Sequence, residues 1–233
     1  MEFTGFSEKT LPFLESIRQN NNKEWFELHR GEYEEYILNP SRAFVEEMGE
    51  HLQALEPTVK FAPKINKSLF KIFRDTRRMK DANSIPLKHR IGIIFWQGDG
   101  SRMQNSSFYL HFSPDELFVA VGVRWFEKPM LEAYREYIKD AYKRQELNDM
   151  LHSLMKKGYS VIEKGYKRYP RGVKADMIHS HLFLYKGMAT YKVLDPKLIE
   201  DGEKLIDTLY KIYEEMLPLQ QFMYEISLRV RDE

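Results

Sequence analysis

The chain has 233 residues, is 42% hydrophobic and 14% aromatic, and carries a formal net charge of only +1. That composition builds a packed core and excludes a disordered chain. It has no cysteine, which excludes disulfides, thiolate catalysis and cysteine-based zinc, and it points to a reducing, cytoplasmic setting. The start MEFTGFSEKT has no signal-peptide pattern, and the longest apolar run, Leu117 to Val123, is far too short to span a bilayer. No membrane partner is expected.

The opening sixty residues read as helices. Ser7 is placed to cap a first helix with Leu11, Leu14 and Ile17 on one face. The run Asn20-Asn21-Asn22 interrupts it as a turn, and Asn22 caps a second helix carrying Trp25, Phe26, His29, Tyr33 and Ile37 inward. Asn39-Pro40 reads as another boundary, with Asn as cap, before Phe44, Met48, Leu52 and Leu55 repeat at helical spacing.

The period then changes. Leu69, Ile72 and Phe73 suggest a short strand leading into Arg74, and Ile91 to Trp96 is β-branched and aromatic, as a buried strand requires. Gly98-Asp99-Gly100 marks a turn, Phe108 to Phe112 alternates, Ser113-Pro114-Asp115 turns the chain, and Leu117 to Val123 completes a meander. From Pro129 helical spacing returns. Leu131, Tyr134, Ile138 and Tyr142 form one face, and Leu147, Leu151, Leu154 and Met155 another that Gly158 closes. Met188 to Leu194 reads as a strand. Leu198, Leu205, Leu209, Ile212 and Met216 make a long helix, and Pro218 begins another. The expected fold is a single α+β domain over residues 1–233, with helices packed on a central, mainly antiparallel sheet.

The near-zero total hides a charge separation. Residues 64–90 hold nine Lys/Arg against two acids, and residues 164–174 hold five bases and no acid, leaving −11 for everything else. Clustered bases in an otherwise acidic chain suit an anionic partner. Arginine forks bind phosphate or carboxylate bidentately and keep their charge. The candidate ligand-binding residues are Arg74, Arg77, Lys88, Arg168 and Arg171. On a strand, Asp75 and Arg77 would share a face as an ion pair, freeing Arg74 for a ligand. The bland alternative is that these bases balance the acids of residues 1–60 and 195–233, which carry −6 and −5. The segment Tyr166-Lys167-Arg168-Tyr169-Pro170-Arg171-Gly172 interleaves aromatic and basic residues. That pattern suits stacking on bases and contact with phosphates, although a pI near 7.8 is low for a dedicated nucleic-acid domain.

Other chemistry is thinly signalled. His179-x-His181 lacks a completing ligand set and no His-Glu-x-x-His occurs, so no metal is expected. Phosphate-cradling glycine loops and a Gly-x-Ser-x-Gly elbow are missing, so no cofactor is expected. His111, sharing a strand face with Tyr109, reads as a core histidine or a pocket residue. Asn21 and Asn22 read as turn and cap rather than catalytic amides.

Taken in order, Gly5-Phe6, Phe13-Leu14, Asn21-Asn22, Trp25-Phe26, Tyr33, Phe73-Arg74-Asp75-Thr76-Arg77, Pro86 to Lys88, Pro170-Arg171-Gly172 and Tyr185-Lys186 form a pattern over nearly the whole chain. It resembles a family of bacterial conserved hypothetical proteins defined as domain of unknown function 2461. The resemblance implies one α+β domain and no particular activity. Two positions depart from it: Arg78 stands where the pattern has an aromatic, and Leu87 where it has Tyr.

Three functions fit this sequence. The first is a module binding an anionic small molecule such as a nucleotide or phosphorylated metabolite, or, less favoured, nucleic acid. The second is an enzyme on a phosphorylated or carboxylated substrate, with Arg74 and Arg77 holding the anion and Asp75 or His111 as base. The third is a structural or partner-binding protein with no small ligand, whose arginines are all paired internally.

Overall fold

A computed structural model describes residues 3–75, 86–99 and 101–230. Helices α1 (Thr10–Gln19), α2 (Lys23–Leu28), α3 (Arg30–Tyr33) and α4 (Asn39–Leu55) come first. Strand β1 (Val59–Lys60) precedes the meander β2 (Ile91–Gln97), β3 (Ser107–Phe112) and β4 (Leu117–Val123). Helices α5 (Lys128–Tyr137) and α6 (Ala141–Lys156) follow, then β5 (Ser160–Val161), β6 (Met188–Leu194) and α7 (Gly202–Ser227). The six strands form one antiparallel sheet in the order β1-β2-β3-β4-β6-β5. The fold is therefore α+β, as the shift from helical to alternating period requires. Among the described residues no helix is long and apolar enough to cross a membrane.

The residues group into two compact units. The first takes Met1–Phe95, Tyr109–Val119 and Val193–Lys211; the second takes Trp96–Phe108, Ala120–Lys192 and Ile212–Glu233. Within the first, α1 buries Phe13, Leu14 and Ile17, and α4 buries Phe44, Val45, Met48 and Leu52. The Phe44 ring lies 6.3 Å from that of Phe95 on β2. Within the second, Phe108 meets Tyr213 edge-on at 5.1 Å, and Tyr137 meets Phe222 at 5.2 Å. Strand β5 pairs with β6 through Ser160↔Tyr191 and Val161↔Thr190. Gly122 on β4 has φ +122, and a Cβ there would sit 2.2 Å from the Met188 carbonyl, so only glycine permits this approach of β6.

Several boundaries differ from the sequence reading. Asn22 does cap α2, its Oδ1 accepting from Trp25 N at 2.8 Å. Asn39-Pro40 is no break: a π-helical turn, Glu34–Leu38, carries α3 directly into α4, and Pro40 falls in the first turn of α4, where a missing N–H costs least. Leu69 and Phe73 form isolated bridges, to Ile93 and Leu87, rather than a strand. Tyr142 is 87% exposed instead of sharing the Tyr134 face. The chain ends α5 at Tyr137 and restarts with Asp140 capping Lys143 N, which breaks the assumed register. Leu198 lies in a 3-10 turn, Pro196–Glu200, ahead of α7. Pro218 lies inside α7, which runs on because Leu219, Phe222, Met223 and Ile226 are all buried and hold it to the core.

Candidate functional site

In the first unit, the segments before and after residue 76–85 zip together as a short ladder. Arg74 N donates to Pro86 O and Lys88 N to Ile72 O, both at 2.8 Å. Asn21 completes this ladder from the side. Its Nδ2 donates to Leu87 O at 3.0 Å and its Oδ1 accepts from Leu87 N at 2.8 Å. The amide thus behaves as a short strand end, a role beyond the turn expected of it. Leu87 itself is fully buried.

This ladder places Arg74 and Lys88 together in one segment. Arg74 is exposed, with Nε donating to Leu87 O at 3.2 Å, and Lys88 Nζ reaches Lys71 O at 2.7 Å. Both therefore spend donors on backbone carbonyls. Arg77, and with it the expected Asp75–Arg77 pair, lies outside the described residues. His89 follows directly. Partial burial, then the charges of Arg18, Arg74 and Arg90 against Asp115, push its pKa below the usual histidine range. Arg18 in turn is bound to Glu15 and Asp115. His111 Nε2 lies 3.0 Å from Glu116 Oε1, and its ring stacks on Phe118 at 4.8 Å. It is buried in an aromatic setting with Tyr109 at 5.7 Å, as a core histidine would be.

The second unit holds Arg168 and Arg171 in the loop between β5 and β6. The loop is tied at both ends. Gly165 N and Tyr166 N donate to Leu184 O at 3.0 and 2.9 Å. At the far end the buried Arg144 donates from Nε to Ile178 O at 2.8 Å and from a terminal nitrogen to Ile138 O and Lys139 O. Ser180 Oγ donates to Ala175 O at 2.9 Å. Between these ties, the side chains of Lys167, Arg168, Arg171 and Lys174, like that of Lys164 just before them, make no hydrogen bond or ion pair with a described residue.

Tyr166 belongs to a ladder of alternating rings and cations. Lys186 Nζ lies 5.0 Å from the ring centres of both Trp125 and Tyr166, and Arg135 Cζ lies 4.7 Å from Tyr166. Gly165 makes this possible: a Cβ there would sit 2.3 Å from Lys186 Cγ. Arg135 stacks with its face, and its buried Nε has no hydrogen-bond acceptor among the described residues. Trp125 is 57% exposed. Its backbone is fixed by Gln104, which donates to Trp125 O at 3.4 Å and accepts from Glu127 N at 2.8 Å, and by Phe126 N on Lys186 O at 2.7 Å.

Sequence reading singled out Tyr166, Arg168 and Arg171 but not Trp125 or Arg135. A tryptophan between Arg124 and Phe126 just after a strand was the available signal, and its partner Lys186 stood in the Tyr185-Lys186 pair without a role. His179 and His181 do not lie on a strand; their rings are 6.2 Å apart and nearly perpendicular, with His179 in the left-handed region. Among the described residues no three His, Asp or Glu side chains gather as a cation site.

No curated protein matches this sequence. A family model does, over residues 9–222, a span that takes in the Asn21 clamp, the Arg74–Lys88 ladder and the ring–cation ladder alike: the chain belongs to the conserved hypothetical protein family DUF2461.

Proposed function

We propose that this protein binds a phosphate-bearing anion, with Arg168 and Arg171 of the loop between β5 and β6, together with Arg135 and Lys186, as the principal contacts. One observation carries the reading. These four cations spend no side-chain donor on a described acceptor, although Arg135 and Lys186 are held in place by rings. Like charges such as Arg168 and Arg171 on one loop repel, and a bound anion removes that repulsion while accepting their donors. A loop anchored at Leu184 and Ile178 keeps the donors in position, which lowers the ordering cost of binding.

Arg74, Lys88 and, from the sequence, Arg77 form a further cationic segment in the first unit, where backbone carbonyls already take part of the donor capacity. The cysteine-free composition supports a reducing, cytoplasmic setting for this binding.

Calorimetric titration with tripolyphosphate tests the proposal. Binding should weaken as salt rises. Arg168→Ala and Arg171→Ala should each lose a charge-assisted contact of about 1.5–3 kcal/mol, roughly tenfold or more in affinity. Wild type that neither binds tripolyphosphate nor gains thermal stability from it overturns the reading.

A further inference from the structure

We infer that the anion carries a nucleobase, and that Trp125 is the platform on which the base stacks; this rests on the anion-binding proposal above. Tryptophan is the largest apolar side chain and is highly buried on average, yet Trp125 leaves 57% of its surface in water. It is not loosely placed. Gln104 holds the backbone at Trp125 O and Glu127 N, the next residue Phe126 is buried, and Phe126 N is tied to Lys186 O. A ring on a fixed backbone, with Lys186 over one face and more than half of its surface exposed, offers a preorganised face to a flat partner.

The neighbours identify that partner by their chemistry. Trp125, Lys186, Tyr166 and Arg135 alternate ring and cation at spacings of 4.7 to 5.0 Å. Rings present π-faces to a base, and cations between and beside them meet its phosphates. Arg168 and Arg171 stand two and five residues beyond Tyr166 on the same anchored loop. An inorganic phosphate or a sugar phosphate would use the cations and leave the indole in water. A nucleotide uses both. Stacking of this kind accepts any base, because every base has a π-face. The shared chemistry, base plus phosphate, belongs equally to a free nucleotide and to a single strand.

Three probes separate the outcomes: ATP, tripolyphosphate and a short oligothymidylate, each titrated into wild type, Trp125→Ala, Trp125→Phe and Arg168→Ala. Tryptophan fluorescence should be quenched by ATP or the oligonucleotide and not by tripolyphosphate. Trp125→Ala should weaken the base-bearing probes by about tenfold and leave tripolyphosphate unchanged, and Trp125→Phe should keep most of the affinity. Arg168→Ala should weaken all three. Tighter binding of the oligonucleotide than of ATP assigns the site to a strand, and the reverse to a free nucleotide. The inference is overturned, with the anion proposal intact, if ATP and tripolyphosphate bind alike and both ignore Trp125→Ala. Both fall together if no probe binds wild type. Because Trp125 is exposed, circular dichroism of Trp125→Ala should match wild type, so weakened binding is not confused with unfolding.

Discussion

Asn21→Ala offers the sharpest test of how the first unit holds its basic segment. The Asn21 amide is the described partner of Leu87 N, at 2.8 Å, and shares Leu87 O with Arg74 Nε. Alanine leaves the carbonyl with Arg74 but strands the N–H of a residue whose side chain is fully buried. Two hydrogen bonds at roughly 1 kcal/mol each, plus the desolvation of a stranded donor, give a loss of about 2–3 kcal/mol. For a chain of this length that lowers the melting temperature by about 5–10 °C. Asn21→Asp keeps an acceptor for Leu87 N and loses the donor to Leu87 O, so it should fall between alanine and wild type. Thermal and urea unfolding of the three proteins measures the series. An Asn21→Ala loss below about 0.5 kcal/mol, the level of an ordinary surface substitution, would refute the clamp.

Other expectations follow from single contacts. Gly122→Ala places a methyl group against the Met188 carbonyl at a positive φ, and should cost about 3 kcal/mol or more, read as loss of soluble protein or a steep fall in melting temperature. Arg144→Met strands three backbone carbonyls and unties the basic loop at Ile178, so trypsin should cut after Arg171 or Lys174 faster than in wild type. Burial pushes the Tyr33 hydroxyl up from 10.0 to about 12. A raised value means stability that is complete below pH 10 and lost as pH climbs toward 12, by roughly 2–3 kcal/mol. Tyr33→Phe should flatten that part of the stability profile in alkaline urea titrations. His89 titrates in the opposite sense. Its lowered pKa means that the fold disfavours the imidazolium, so stability falls as pH drops below the ordinary value of 6.5, and His89→Gln should reduce that fall.

The local code of this chain was strong enough to place its main elements. Strands β4 and β6 fall at Leu117–Val123 and Met188–Leu194, the limits that alternation and β-branching set, and Asn22 caps where its short side chain must. These features depend on neighbours in sequence, and local sterics decide them. Where the sequence misled, a distant partner overrode the local signal. Pro218 ordinarily ends a helix, but buried Leu219, Phe222 and Met223 keep α7 continuous; Tyr142 continued a helical spacing, but Asp140 starts a new helix and turns the ring into water. The site divides in the same way. Charge counting alone singled out Arg168 and Arg171 as candidates, because charge density is a property of the sequence. That Arg74 is tied to Leu87 O while Arg135 Nε meets no acceptor among the described residues is a property of packing, invisible in composition. So is the ladder that gathers Trp125, Lys186, Tyr166 and Arg135 from four separate stretches of chain. Pairwise distances of about 5 Å between such residues arise only when the sheet and its loops close, since nothing in their sequence separation encodes them.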